Sequence, residues 1–138
     1  MNKFFSVLVA SLFAVAAASS HAQSAAPNDA QIAGIVVAAN TVDINAGKLA
    51  KSKAKNKEVK DFAKLMVTDH TGVNKQASAL VKKLNVTPEE SDTSKSLKQD
   101  GADTLAKLKG LKGHDFDKAY IDNEVTYHQT VIDAMDKT

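Results

Sequence analysis

The sequence predicts an all-α antiparallel helical bundle, and three observations carry that prediction. Apolar residues recur at spacings of three and four in three separate stretches, and no stretch alternates with period two as a strand would. Apolar residues make up 43% of the 138, but aromatics only 5%, with no Trp and no Cys, which suits a bundle cored by aliphatic side chains and alanine. The chain after the leader discussed below, 23–138, is long enough for one unstapled core.

The first residues read as an export signal: Lys3 as the basic start, Phe4 to Ala18 as the apolar run, and Ser20-His21-Ala22 as a small-x-small cleavage site. The expected organisation is a secretory signal peptide over 1–22, a Ser/Ala/Pro linker over 23–28 and the bundle domain over 29–138. The apolar run is shorter than the roughly 20 residues that span a bilayer. No second run follows, so no transmembrane anchor is expected after cleavage, and the periplasm is the expected compartment. All cations are lysine, and without arginine there is no guanidinium fork for nucleic acid. No nucleic-acid partner is expected.

Helix 1 is capped by Asn28 or Asp29 and runs to about Lys53 on a seam of Ile32, Ile35, Ala39, Val42, Ala46 and Leu49. The turn after it is dense in lysine, and Lys51, Lys53, Lys55, Lys57, Lys60 and Lys64 form a candidate patch for anionic envelope polymers or lipids; the alternative is a solvated helix end. Helix 2 starts at the cap Asn56 and stops near Asn85. Its seam is Val59, Ala63, Met66, His70, Val73, Ala77, Leu80 and Leu84, a heptad rhythm whose one polar member is His70.

Thr87-Pro88-Glu89-Glu90 has the chemistry of a helix start, although helix 3 could settle only near Ser94. Helix 3 is the weakest, because Gly101 and Thr104 dilute its seam of Leu97, Leu108 and Leu111; Gly110 and Gly113 end it. Helix 4 follows His114-Asp115, with Ile121, Val125, His128, Ile132 and Met135 as its expected seam. His114 itself is expected at the surface or in a cap.

Helices 2 and 4 carry versions of one motif, Met66-Val67-Thr68-Asp69-His70 and Glu124-Val125-Thr126-Tyr127-His128, each with an aromatic eight positions earlier, Phe62 and Tyr120. If helices 1 and 2 turn near residues 55 and 56, Asp43 falls within a helical turn of His70, while Glu124 stands four residues before His128. Asp43, His70, Glu124 and His128 are therefore candidate ligands of a single transition metal, with Zn, Fe, Mn or Cu suited by donor type. Asp69, Tyr127 and Met66 are the motif residues around them. The alternative is a histidine paired with a helix-1 carboxylate, a polar contact that fixes helix register without a metal.

These elements, Asp43 with Gly47-Lys48-Leu49-Ala50, Val59-Lys60-Asp61-Phe62-Ala63, Met66-Val67-x-Asp69-His70, and Phe116-Asp117 with Tyr120 and His128, resemble the exported domain of unknown function 4142 family over about Ala30 to Lys137. The resemblance implies a ferritin-like bundle with no agreed activity. Members are often labelled outer-membrane proteins, yet helical periodicity argues against a barrel of alternating strands. Members also continue into another long helix with a further histidine, and at the position of Tyr127 they commonly carry Asp. The resemblance thus implies three long helices plus a shorter one, with an exposed apolar groove that helix 3 or a second copy, as a homodimer, would cover.

Ferritin chemistry is not implied, since di-iron sites need Glu-x-x-His, and Val67 and Val125 stand three before the histidines. With no cysteine nucleophile, Gly-rich phosphate loop or Gly-x-Ser-x-Gly, no enzyme is expected. The expectation is a non-catalytic, binding or stress-associated envelope protein of unknown partner, with metal binding and lysine-patch adaptation as its rivals.

Overall fold

A computed structural model describes residues 26–136; the expected signal peptide lies outside the described residues. Four helices follow in order, α1 (Asp29–Lys53), α2 (Lys57–Lys83), α3 (Asp92–Gly110) and α4 (Gly113–Met135), with no strand among the described residues. The helical bundle is as the periodicity predicts, and α3 is its shortest member.

Local chemistry sets the boundaries. Asn28 accepts from Gln31 N–H while the Gln31 side chain returns to Asn28 N–H, a capping box that satisfies two orphan donors. Asn56 takes the Glu58 and Val59 N–H groups at the start of α2. At its other end Asn85 adopts φ 52°, and the N–H groups of Asn85 and Val86 return to Lys82 and Val81 carbonyls in a Schellman turn.

The Thr87-Pro88 segment does not start α3. Glu89 N–H is taken by the Ala30 carbonyl at 2.8 Å, which holds this connector against α1, and the helix begins only after Ser91, whose side chain and that of Ser94 form a reciprocal box. Gly34 permits this contact, because a Cβ there would lie 1.9 Å from the Glu89 carbonyl oxygen. Gly34→Ala is therefore expected to cost about 1–3 kcal/mol by forcing the connector off α1, read as a lowered midpoint in thermal unfolding. Gly101, which weakens α3 by propensity, has the opposite role in packing: its bare backbone receives the Val42 side chain, and a Cβ would meet it at 2.6 Å.

Helix α1 is the central element, packed on each of the other three. Antiparallel pairs place Asn40 beside His70, and Tyr127 beside Ala39. Helices α2 and α4 consequently run parallel along one side of α1, so the two copies of the repeated motif meet position for position. Phe62 and Tyr120 have ring centroids 6.3 Å apart, and His70 and His128 5.6 Å.

The core is two apolar clusters with a polar layer between them. Ala46, Ala50, Ala54, Ala63, Leu108, Phe116 and Tyr120 form one; Ile35, Ala39, Leu97 and Tyr127 form the other. Two expected seams are corrected here. Helix α4 turns Phe116, Tyr120, Glu124 and Tyr127 inward, about one residue round from the expected face, leaving Val125 at 70% and Ile132 at 52% exposure. The three aromatic rings remove more apolar surface from water than Val125 and Ile132 would. On α2 the seam is packed only as far as His70, with Leu80 and Leu84 more than half exposed. Because α3 lies against α1 rather than between α2 and α4, the expected open groove runs between those two helices.

Asp117 ties α4 to the α1–α2 turn. Its buried carboxylate accepts from Lys55 N–H at 3.0 Å and Asn56 N–H at 2.7 Å. Asp117→Ala leaves two donors unpaired and is expected to lose about 2–4 kcal/mol in urea titration, with Asp117→Asn losing less because its amide oxygen can still accept.

Candidate metal centre

The polar layer is assembled from three helices. Helix α1 contributes Asn40 and Asp43 from neighbouring positions on its buried face, α2 contributes His70, and α4 contributes Glu124 and His128. Donor atoms of Asp43, His70 and His128 all lie within 4.8 Å of one another. Asp43 Oδ2 is 3.6 Å from His70 Nδ1, and Glu124 Oε2 is 3.8 Å from His128 Nδ1.

Hydrogen bonds orient both imidazoles. Asn40 Nδ2 donates to the Val36 carbonyl at 2.8 Å, so its Oδ1 faces His70 Nδ1, 2.6 Å away. An amide oxygen can only accept; His70 Nδ1 must therefore carry the hydrogen. His128 Nδ1 meets the Glu124 backbone carbonyl at 2.8 Å, and the same logic protonates it. With Nδ1 holding the hydrogen in both rings, Nε2 is the nitrogen left to ligate, the arrangement by which proteins orient histidines for a metal.

The two carboxylates are buried, Asp43 at 3% and Glu124 at 2% exposure. Burial raises Asp43 from its ordinary range, partly offset by His70 and His128. Burial, reinforced by the neighbouring Asp43 charge, pushes Glu124 up to about 8. Neither Glu124 side-chain oxygen nor the Tyr120 hydroxyl makes a hydrogen bond of normal geometry, although Tyr120 and Asp43 both stand close enough to Glu124 to act on its ionisation. Burial also raises the Tyr120 and Tyr127 hydroxyls, keeping both as neutral phenols.

Of the other motif residues, Asp69 is exposed and stands outside this layer, a correction that follows from its place one step off the α2 seam. Tyr127 is buried and donates its hydroxyl to the Ala39 carbonyl at 3.2 Å, so it braces α4 on α1. Met66 lines the α2–α4 groove. Asn40 was not among the sequence candidates, although a polar residue three before Asp43 on a buried helix face was the available signal. His114 is at the surface.

The lysine patch is partly spoken for. Lys53 Nζ donates to the Leu108 and Lys109 carbonyls at the end of α3 and lies 5.4 Å from the centre of the Phe116 ring. Lys57 and Lys64 both pair with Asp61, at 2.5 and 2.9 Å. Lys51 and Lys55 are exposed and Lys60 half-buried.

The model of a family described as a domain of unknown function, DUF4142, matches residues 14–138. The chain belongs to this family. No curated protein and no solved structure matches it. For this DUF4142 domain the family assigns no chemistry, and the functional argument rests on the polar layer. With two imidazoles and one carboxylate converging, that layer can hold a divalent first-row metal of the Zn, Fe or Mn type.

Proposed function

We propose that this is an exported, periplasmic helical-bundle protein that binds one divalent transition metal ion through Asp43, His70 and His128, with Glu124 beside the ion. The observation that carries the reading is Glu124: a carboxyl at 2% exposure, set beside Asp43 and His128, neither of whose oxygens makes a hydrogen bond of normal geometry. A polar contact whose only task is helix register would have its buried groups satisfied, whereas a cation held by Asp43, His70 and His128 offsets the charge of a carboxyl standing beside it without being ligated by it. Two histidines whose Nδ1 is tied to a carbonyl oxygen, which leaves Nε2 as the nitrogen to ligate, support it further.

The role is binding rather than catalysis, in keeping with the absence of a nucleophile motif. Export rests on the amino-terminal pattern of Lys3, the apolar run and Ser20-His21-Ala22. No helix among the described residues is long and apolar enough to cross a membrane. The lysine-patch reading is weaker, since Lys53, Lys57 and Lys64 already have partners within the chain.

The test is elemental analysis of the chain from Gln23 onward, before and after exposure to Zn(II), Mn(II) and Fe(II). About one ion per chain is expected, and a protein that takes up none of them ends the proposal.

A further inference from the structure

We infer that the metal centre is an open one, whose free coordination position faces the groove between α2 and α4 and accepts a small, weakly hydrated linear anion of the azide type. This rests on the metal reading above and goes beyond it in saying what the ion meets. The site is closed on the α1 side, where Ala39, Asn40 and Asp43 are all buried, and the Asp43 side chain is only 5% exposed. It is open on the other: the His128 side chain is 42% exposed, and with Glu124 it lines a groove of about 500 Å³ whose other walls are Phe62, Met66, Ile121 and Val125.

The chemistry of those walls selects the ligand. Three protein donors leave at least one position on a four-coordinate ion and more on a six-coordinate one; a closed structural site would supply a fourth donor from the protein. Apart from Glu124 and the thioether of Met66, a soft and weak donor, the groove residues next to the site offer no group to coordinate. A large, strongly hydrated anion would lose its water against apolar side chains without recovering hydrogen bonds, which a small, weakly hydrated linear anion avoids. Glu124 is the one group able to compete, by swinging onto the ion and closing the site.

Cobalt(II) and azide are the probes. Cobalt(II)-loaded protein is expected to change its visible absorption saturably on addition of azide, with about one azide per cobalt. Val125→Trp, placed at the exposed rim of the groove, is expected to bind cobalt(II) with the same stoichiometry and azide at least about tenfold more weakly. A wild type that takes up no cobalt(II) overturns the metal reading and this inference together. Cobalt uptake with an azide-insensitive spectrum, whether because Glu124 completes the shell or because a second copy covers the groove, overturns this inference alone. Equal azide affinity in wild type and Val125→Trp also overturns it, since the ligand would then not enter from the groove.

Discussion

Replacing His70 and His128 together with alanine is expected to lower Zn(II) affinity by well over about 100-fold and to bring the retained metal of the purified chain to background. The magnitude follows from comparison with a milder change. Removing a group that only orients a ligating histidine commonly costs about 10 to 100-fold, and the double variant removes two ligands outright. Asn40→Ala supplies that milder case, because it leaves every candidate ligand in place and deletes the oxygen that holds His70 Nδ1–H. Graded loss, from wild type through Asn40→Ala to the double variant, is the signature of a site built on these rings. Equal metal content in all three would mean that the ion is held elsewhere, and titration with a competing chelator measures the series.

Metal-free protein is expected to become less stable as pH rises from 5 to 8.5. Glu124 in the folded chain is pushed up to about 8 from 4.5, first by burial and then by the Asp43 carboxylate. Between those two values the folded state holds a proton that the unfolded state has released. Stability therefore falls with increasing pH across the window and is fully present only below the unfolded value. The drop is on the order of 2–4 kcal/mol for a group buried this deeply. Asp43, also raised by burial, adds to the same trend in the lower part of the window.

Glu124→Gln removes the titrating group while keeping the shape, and most of the slope should vanish with it. The measurement is urea unfolding in chelator-treated buffer at several pH values. A flat wild-type profile, or one whose slope survives in Glu124→Gln, would show that this carboxyl does not hold a proton in the fold. Added metal should act most strongly at the alkaline end, because a cation favours ionised carboxylates and competes with protons for them.

Much of the scaffold could be read from local chemistry. Asn28 and Asn56 stand where a side-chain oxygen can take the first orphan N–H groups, and both act as caps. A turn at residues 55 and 56 was enough to bring Asp43 near His70, because two straight antiparallel helices have a fixed register once their connection is placed. The short repeat around the histidines also had spatial meaning, since equivalent rings on α2 and α4 meet in pairs.

Other features were not legible, for reasons that can be named. Thr87-Pro88-Glu89 has good capping chemistry, but Glu89 N–H is taken by the carbonyl of Ala30, 59 positions earlier, a contact that no local pattern contains. The inward face of α4 was misplaced because Ile121, Val125 and Ile132 form a plausible stripe beside the real one of Phe116, Tyr120, Glu124 and Tyr127. Asp117 looks like any helix-start acid until the α1–α2 turn is brought against it.

The order of residues alone determined the helices, the caps of α1 and α2, the hairpin register of α1 with α2 and the pairing of one histidine on each of two helices, since all of these depend on spacing within a turn or two. Only the tertiary structure decided that α4 buries Glu124 beside Asp43, that Asn40 orients His70, and that no described helix covers the face between α2 and α4. Those outcomes depend on how each helix is rotated about its own axis. That rotation is set by which side chains the neighbouring helices can cover, a competition among surfaces far apart in the chain.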